Sequence, residues 1–257
     1  LSAYRLLIGD NKIAPKLALK TATYTAAVLI PLQILAGDMH GLNTLEHQPQ
    51  KVAAMEGVWE TEQGAPLLLF AIPDEQERTN HAELAIPNLA SFILTHELDG
   101  EIKGLNEFRG EHPPVAPVFY SFRVMVGMGI LMLFAAWAGS YYLFRRGELP
   151  DWLGKLFIAM SFSGWVATLA GWYVTEVGRQ PYLVSGVLRT ADAVTGLPPQ
   201  NIGLSFALYA VIYAVLMVAY IRTLTLMCRK SVGIEEISKG DADERHTNKL
   251  DIASGNA

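Results

Sequence analysis

Four stretches of this chain are apolar over the length that a bilayer demands, and they decide what it can fold into. A helix of about 20 residues crosses about 30 Å of hydrocarbon. The stretches are 17–36, 117–144, 152–175 and 202–227. Lipid offers no partner for backbone N–H and C=O groups, so segments of this kind satisfy themselves as helices. The first stretch is the weakest, since it carries Lys20, Pro31 and Gln33. The second is interrupted only by Arg123; Lys155 lies near the start of the third and Arg222 near the end of the fourth, where long side chains snorkel. Trp137, Tyr141, Tyr142, Trp152 and Trp172 fall near span ends, as interfacial aromatics do. The opening "LSAYRLLIGD" has neither the basic region nor the cleavage site of a signal peptide, and 1–8 reads as the last turns of another helix. The expected fold class is therefore all-α: a polytopic transmembrane helix bundle, four full spans plus the end of a fifth, with a long extracytoplasmic loop.

Composition narrows the function. With 51% hydrophobic and 18% charged residues, the chain is more apolar than a soluble domain of its length. A net charge of -5 and the absence of a basic stripe with interleaved aromatics argue against nucleic acid. Cys228 is the single cysteine, which excludes an internal disulfide and a cysteine-ligated metal site. Metal chemistry would have to use His, Met or carboxylates.

Basic residues orient the spans. Arg5, Lys12, Lys16 and Lys20 flank one short connection, Arg145, Arg146 and Lys155 another, and Arg229 and Lys230 open the tail. All three belong on the cytoplasmic side. The chain then divides into 1–36, the end of one helix, a cytoplasmic loop and the next helix; 37–116, an extracytoplasmic loop; 117–227, three transmembrane helices; and 228–257, a polar, disordered cytoplasmic tail. The loop is acidic, with Glu46, Glu56, Glu60, Glu62, Asp74, Glu75, Glu77 and Glu83. Its prolines predict short helices and turns, including a short helix around Glu83 to Thr95, and no hydrophobic core of domain size.

The same topology gathers three polar clusters on the outer side. Glu176 and Arg179, spaced to share a helix face, end the third span one turn after Trp172. Arg123 and Met125 begin the second span, and Lys51 and Glu56 lie on the outer loop. Taken singly, these residues also fit plainer roles: a structural ion pair for Glu176 and Arg179, packing for Met125, solvated loop charges for Lys51 and Glu56, and a snorkelling Arg123. Taken together, a thioether and a carboxylate are axial ligands for haem iron, and arginines pair with haem propionates. All six histidines fall outside the spans as drawn, so a histidine ligand is not available from these helices.

The stretches "GWYVTEVGRQPY" with its continuation "LVSGVLRTADAV", "QPQKVAAMEGVWET" and "PPVAPVFYSFRVMVGMG" carry a resemblance to subunit I of the cytochrome bd family of quinol oxidases. In its short loop the chain resembles the cyanide-insensitive branch. The resemblance covers nearly the whole chain up to the polar tail and matches the C-terminal part of the subunit. It implies a ubiquinol:oxygen oxidoreductase that is electrogenic without pumping. Lys51 and Glu56 match loop residues of quinol oxidation, Met125 the ligand of a low-spin haem b, and Arg123 the arginine just before it. Glu176 matches the ligand of a high-spin haem b, with Trp172 and Arg179 at the accompanying positions. A haem d or a third haem b completes the implied set, with its histidine ligand upstream. The implied partners are subunit II of the oxidase, a small single-span subunit and membrane lipids, in a bacterial cytoplasmic (inner) membrane with the long loop periplasmic. Tyr182 departs from the pattern, standing where tryptophan is commoner. The rival reading is a haem-free structural or transport-related membrane subunit.

Overall fold

The computed structural model describes residues 1–9, 12–193, 196 and 198–229. Four helices are long and apolar enough to cross a membrane: Ile13–His47, Val115–Arg146, Asp151–Val177 and Pro199–Leu226. The chain is a membrane-type helical protein with a few small sheets. The polar tail expected to be disordered lies outside the described residues from position 230 onward.

Two compact units divide the chain. The first takes Leu1–Leu19 and the residues from Gly196 on. It holds helix α1 (Ser2–Leu7), the first residues of α2 (Ile13–His47) and, after the segments described below, α8 (Pro199–Arg229). Ala3, Pro15 and Leu19 are buried in it. The helix expected over 1–8 is thus present as α1.

The second unit, Lys20–Thr195, carries everything else. In it α2 continues past Ala36, where the first span was expected to end, to His47. His40 and His47 therefore lie on a helix rather than beyond it, both exposed. Pro31 sits inside α2 without ending it, as transmembrane helices tolerate. Next come α3 (Pro49–Glu56), strands β1 (Glu62–Gln63), β2 (Leu67–Asp74) and β3 (Thr79–Ile86), α4 (Leu89–Thr95) and β4 (Glu101–Ile102). Helix α5 (Val115–Arg146) starts behind Pro113 and Pro114 and stops at Gly147, whose φ of 77° and N–H bond to Leu143 O make a left-handed cap. The next expected span is divided: α6 (Asp151–Ala159), a 3₁₀ turn (Met160–Phe162) and α7 (Ser163–Val177). A short hairpin, β5 (Tyr182–Val184) with β6 (Leu188–Arg189), follows.

Helices α2, α5 and α6 meet at a glycine. A Cβ on Gly139 would come within 2.7 Å of the Phe157 ring and 2.9 Å of the Thr23 methyl, so only glycine admits this approach. The Trp137 indole N–H also donates to Ala27 O at 3.1 Å, tying α5 to α2.

The loop departs from its expectation at its start, where 37–47 belongs to α2, and in its middle, where a hairpin of eight-residue strands stands in place of short helices and turns. Glu83 to Ile86, expected as helix, is strand, and the helix begins only at Leu89. Asp74 explains the hairpin: its Oδ1 accepts from the N–H groups of Gln76 and Glu77 at 2.8 and 3.0 Å, closing a turn that returns the chain antiparallel to "LLLFAI". The loop's largest buried cluster is shared with the spans: Ala53, Ala54, Met55, Trp59 and Leu105 pack on Val115 and Val118 of α5 and Val174 of α7. Burying a side chain the size of Val or Met contributes about 1.5–3 kcal/mol. The short helix α3 is therefore held by tertiary packing, since eight residues are too few to hold a helix alone.

Candidate functional site

Every residue from Lys51 to Trp59 is buried, charged members included. Burial of a charge demands a partner. For Glu56 the partner is Arg123 of α5, whose Nη2 lies 3.7 Å from Glu56 Oε2. The guanidinium is engaged on all sides. Its Nε donates to Leu68 O at 2.9 Å, Nη1 to Met55 O and to Phe119 O, and Nη2 to Glu56 O at 3.5 Å. Its plane also stacks 3.3 Å from the Phe119 ring centroid. Arg123 thus joins the end of α3, strand β2 and its own helix, with its fork committed to protein acceptors. Glu56 Oε2, buried, accepts no hydrogen bond among the described residues. Burial pushes the Glu56 carboxyl above its usual range, and Arg123 pulls partly the other way.

The turn after Glu56 is a glycine for two reasons. Gly57 has φ 73° and ψ 28°, and a Cβ there would lie 2.9 Å from the Phe119 ring. Hairpin β2–β3 braces this turn from the other side. Asn80 Nδ2 donates to Gly57 O, and the Trp59 indole donates to Asn80 Oδ1, each at 2.9 Å. The hairpin also caps α5: Val115 N–H donates to Glu75 Oε1 at 2.6 Å, and Tyr120 OH to Ala71 O at 3.1 Å.

Lys51, one and a half turns earlier on α3, reaches α7. Its side chain lies where a Cβ on Gly178 would be, with Cγ at 3.1 Å and Cε at 3.2 Å. Burial holds its amine below the ordinary lysine range; Arg179 adds to that and Glu176 opposes it. Glu176 and Arg179 face each other at 3.5 Å, both partly exposed. Trp172, one turn back, is exposed, with Tyr173 as an edge-on ring neighbour at 6.0 Å. Met125, two residues beyond Arg123, meets α7 at Gly171, where a Cβ would come within 2.9 Å of its sulfur. The structure therefore pairs Glu56 with Arg123 between α3 and α5, and sets Lys51 beside Glu176 and Arg179 at the end of α7. Met125 lies on the α5–α7 seam.

The donor set bears on haem. The thioether of Met125 and the loosely paired carboxylate of Glu176 are donor types that haem iron accepts. Gly129, one turn on from Met125, and Gly164, two turns before Gly171, have no heavy atom within 4 Å of where a Cβ would stand. Bare helix faces of this kind admit a flat macrocycle, so the residues fit the group. The Arg123 fork is taken up by protein acceptors, whereas the partly exposed Arg179 makes a looser pair with Glu176.

Sequence reasoning missed Asn80, Glu75, Phe119, Gly171 and Gly178. Gly57 alone carried a local signal, a glycine closing a helical run.

Buried loop charges seated on two apolar spans define a class, membrane proteins whose extramembrane loop and spanning helices build one site. The chain belongs to the cytochrome bd terminal oxidase subunit I family, whose model matches residues 1–232. It is 32% identical over 226 residues to the cytochrome bd ubiquinol oxidase subunit 1 of Bacillus subtilis (strain 168), covering 82% of this chain and 46% of that protein. It is 27% identical over 290 residues to the cytochrome bd-II ubiquinol oxidase subunit 1 of Escherichia coli (strain K12), covering 85% of this chain and 56% of that one. Among solved structures, the bd oxidase from Geobacillus thermodenitrificans matches with a TM-score of 0.77 and 31% identity, over 89% of this chain and 52% of that chain. The chain thus spans about half the length of the relatives it matches.

Proposed function

We propose that this chain supplies the quinol-oxidising loop and two haem-ligand positions of a bd-type quinol:oxygen oxidoreductase, set in a bacterial cytoplasmic membrane with its loop on the outer face. The observation that carries the reading is the buried Glu56 beside Arg123. It is a carboxylate with one buried oxygen that accepts no hydrogen bond among the described residues, held on the helix whose Lys51 reaches the Glu176–Arg179 pair.

A quinol hydroxyl is the donor that Glu56 Oε2 lacks. Its raised affinity for protons suits it to take one from the quinol as electrons leave. Lys51, with its amine made easier to deprotonate, holds the second quinol oxygen. Arg123 fixes the Glu56 backbone, while Met125 and Glu176 would offer sulfur and oxygen to haem iron. Haem, when bound, would carry electrons from quinol to oxygen, which is reduced to water. Proton release outside and uptake from inside make the reaction electrogenic. Low-spin and high-spin haem b, with a haem d or a further haem b, are the expected set, ubiquinol the substrate, and subunit II the partner.

The test is a reduced-minus-oxidised visible spectrum of membranes carrying the full-length protein and its partner, followed by quinol-driven oxygen uptake. Haem bands with uptake that Glu176→Ala abolishes support the reading. A membrane protein without haem would sink the ligand assignments and favour a structural role for the Glu176–Arg179 pair.

A further inference from the structure

We propose that Asn80, on strand β3 of the loop hairpin, is a positioning residue for Glu56, acting through the turn that follows it. The inference rests on the reading of Glu56 just given.

Asn80 uses both ends of its amide. Oδ1 accepts from the Trp59 indole and Nδ2 donates to Gly57 O, each at 2.9 Å. Only this orientation satisfies both neighbours, because an indole N–H can only donate and a carbonyl can only accept. The two residues it grips bracket the exit from α3, and Gly57 is bonded directly to Glu56. The opposite side of the turn is closed by the Phe119 ring, which stacks on the Arg123 guanidinium, which pairs with Glu56. Glu56 is therefore clamped between α5 on one side and Asn80 on the other. The hairpin is itself pinned to α5 at Leu68, Ala71 and Glu75, so Asn80 projects from a fixed support. Among the described residues the charged group that faces Glu56 is Arg123 on α5; Lys51, on Glu56's own helix, is set toward Glu176 on α7 and Arg179 just beyond it.

Quinol-driven turnover, normalised to haem, separates positioning from folding, because misfolded protein without haem drops out of the normalisation. Three variants of the full protein are compared with wild type: Asn80→Ala, Trp59→Phe and Glu56→Gln. Asn80→Ala is expected to lower kcat per haem about tenfold, the worth of about one net buried hydrogen bond at a reacting group, with KM changed less than about twofold. Trp59→Phe, which keeps a buried aromatic ring but removes the pyrrole half of the indole with the donor that orients Asn80, is expected to lower kcat about threefold. It also carries the test should Asn80→Ala fail to assemble. Impaired Glu56→Gln together with wild-type turnover per haem in Asn80→Ala, or in Trp59→Phe where Asn80→Ala does not assemble, overturns this inference and leaves the role of Glu56 standing. Wild-type turnover in Glu56→Gln overturns the reading of Glu56, and this inference with it.

Discussion

Replacing Gly57 with alanine tests the tightest contact at the site. Its φ of 73° puts an alanine in the left-handed region, at a cost of about 1–2 kcal/mol. The new methyl would stand 2.9 and 3.0 Å from two carbons of the Phe119 ring and 3.4 Å from Leu68 Cδ1. Phe119 is fully buried and lies under the Arg123 guanidinium, so the ring has nowhere to swing. Overpacking of this kind costs about 1–3 kcal/mol more. Gly110 provides the control: its φ is 77° and nothing lies within 4 Å of where a Cβ would stand, so Gly110→Ala meets only the conformational cost. Hydrogen exchange at the Val58 amide, which bonds Ala53 O at 3.0 Å across this turn, reads the opening directly. A factor of ten corresponds to about 1.4 kcal/mol, so Gly57→Ala should speed exchange there by between about thirtyfold and several thousandfold. Thermal inactivation in detergent should separate the two variants in the same order. Equal losses of stability in both would show that Phe119 yields freely, and the account of Gly57, Phe119 and Arg123 as one tight stack would be wrong.

Met125→Leu should change the low-spin haem spectrum, and Gly171→Ala should change it in the same sense, because the added methyl would press within 2.9 Å of the Met125 sulfur. An unaltered spectrum in Met125→Leu removes that ligand assignment. The pH dependence follows from the raised Glu56 pKa. A carboxyl whose pKa is higher folded than unfolded lends stability that is complete below the ordinary carboxylate range and lost as pH rises through the raised value. Glu56→Gln should therefore flatten the stability-against-pH curve above that ordinary range, and should remove the matching inflection from quinol turnover. Glu75→Ala should cost about 0.5–2 kcal/mol by uncapping α5 at Val115, with Glu75→Gln recovering most of it, as measured by thermal inactivation.

The spans were legible in the sequence because the signal for a bilayer-crossing helix is local and needs no partner. That signal blurs at the ends: α2 runs on to His47 through residues polar enough to have been assigned to the loop. The break between α6 and α7 left no Pro or Gly to mark it, and falls on "MSF". The hairpin was hidden for a related reason. "HAELAIP" suits a helix by composition, and it becomes strand because "LLLFAI" returns beside it and because α5 receives their turn at Val115. At the site, the residue types were readable and so was their shared side. The pairing of Glu56 with Arg123 was not, since it depends on chain segments 67 residues apart. Asn80 carried no signal at all, being one polar residue among many in an acidic loop.

The shared core of the loop and the spans bears on how the protein can be rebuilt. Ala53, Ala54, Met55, Trp59 and Leu105 find their packing partners on Val115, Val118 and Val174, and Lys51 lies along a helix that offers it a glycine. The loop is therefore no exchangeable cassette. A chimera that imports residues 48–114 from a relative would need the matching faces of α5 and α7 with it. Under the proposed function, engineered changes of quinol preference are better sought by redrawing the whole seam than by trading the loop alone.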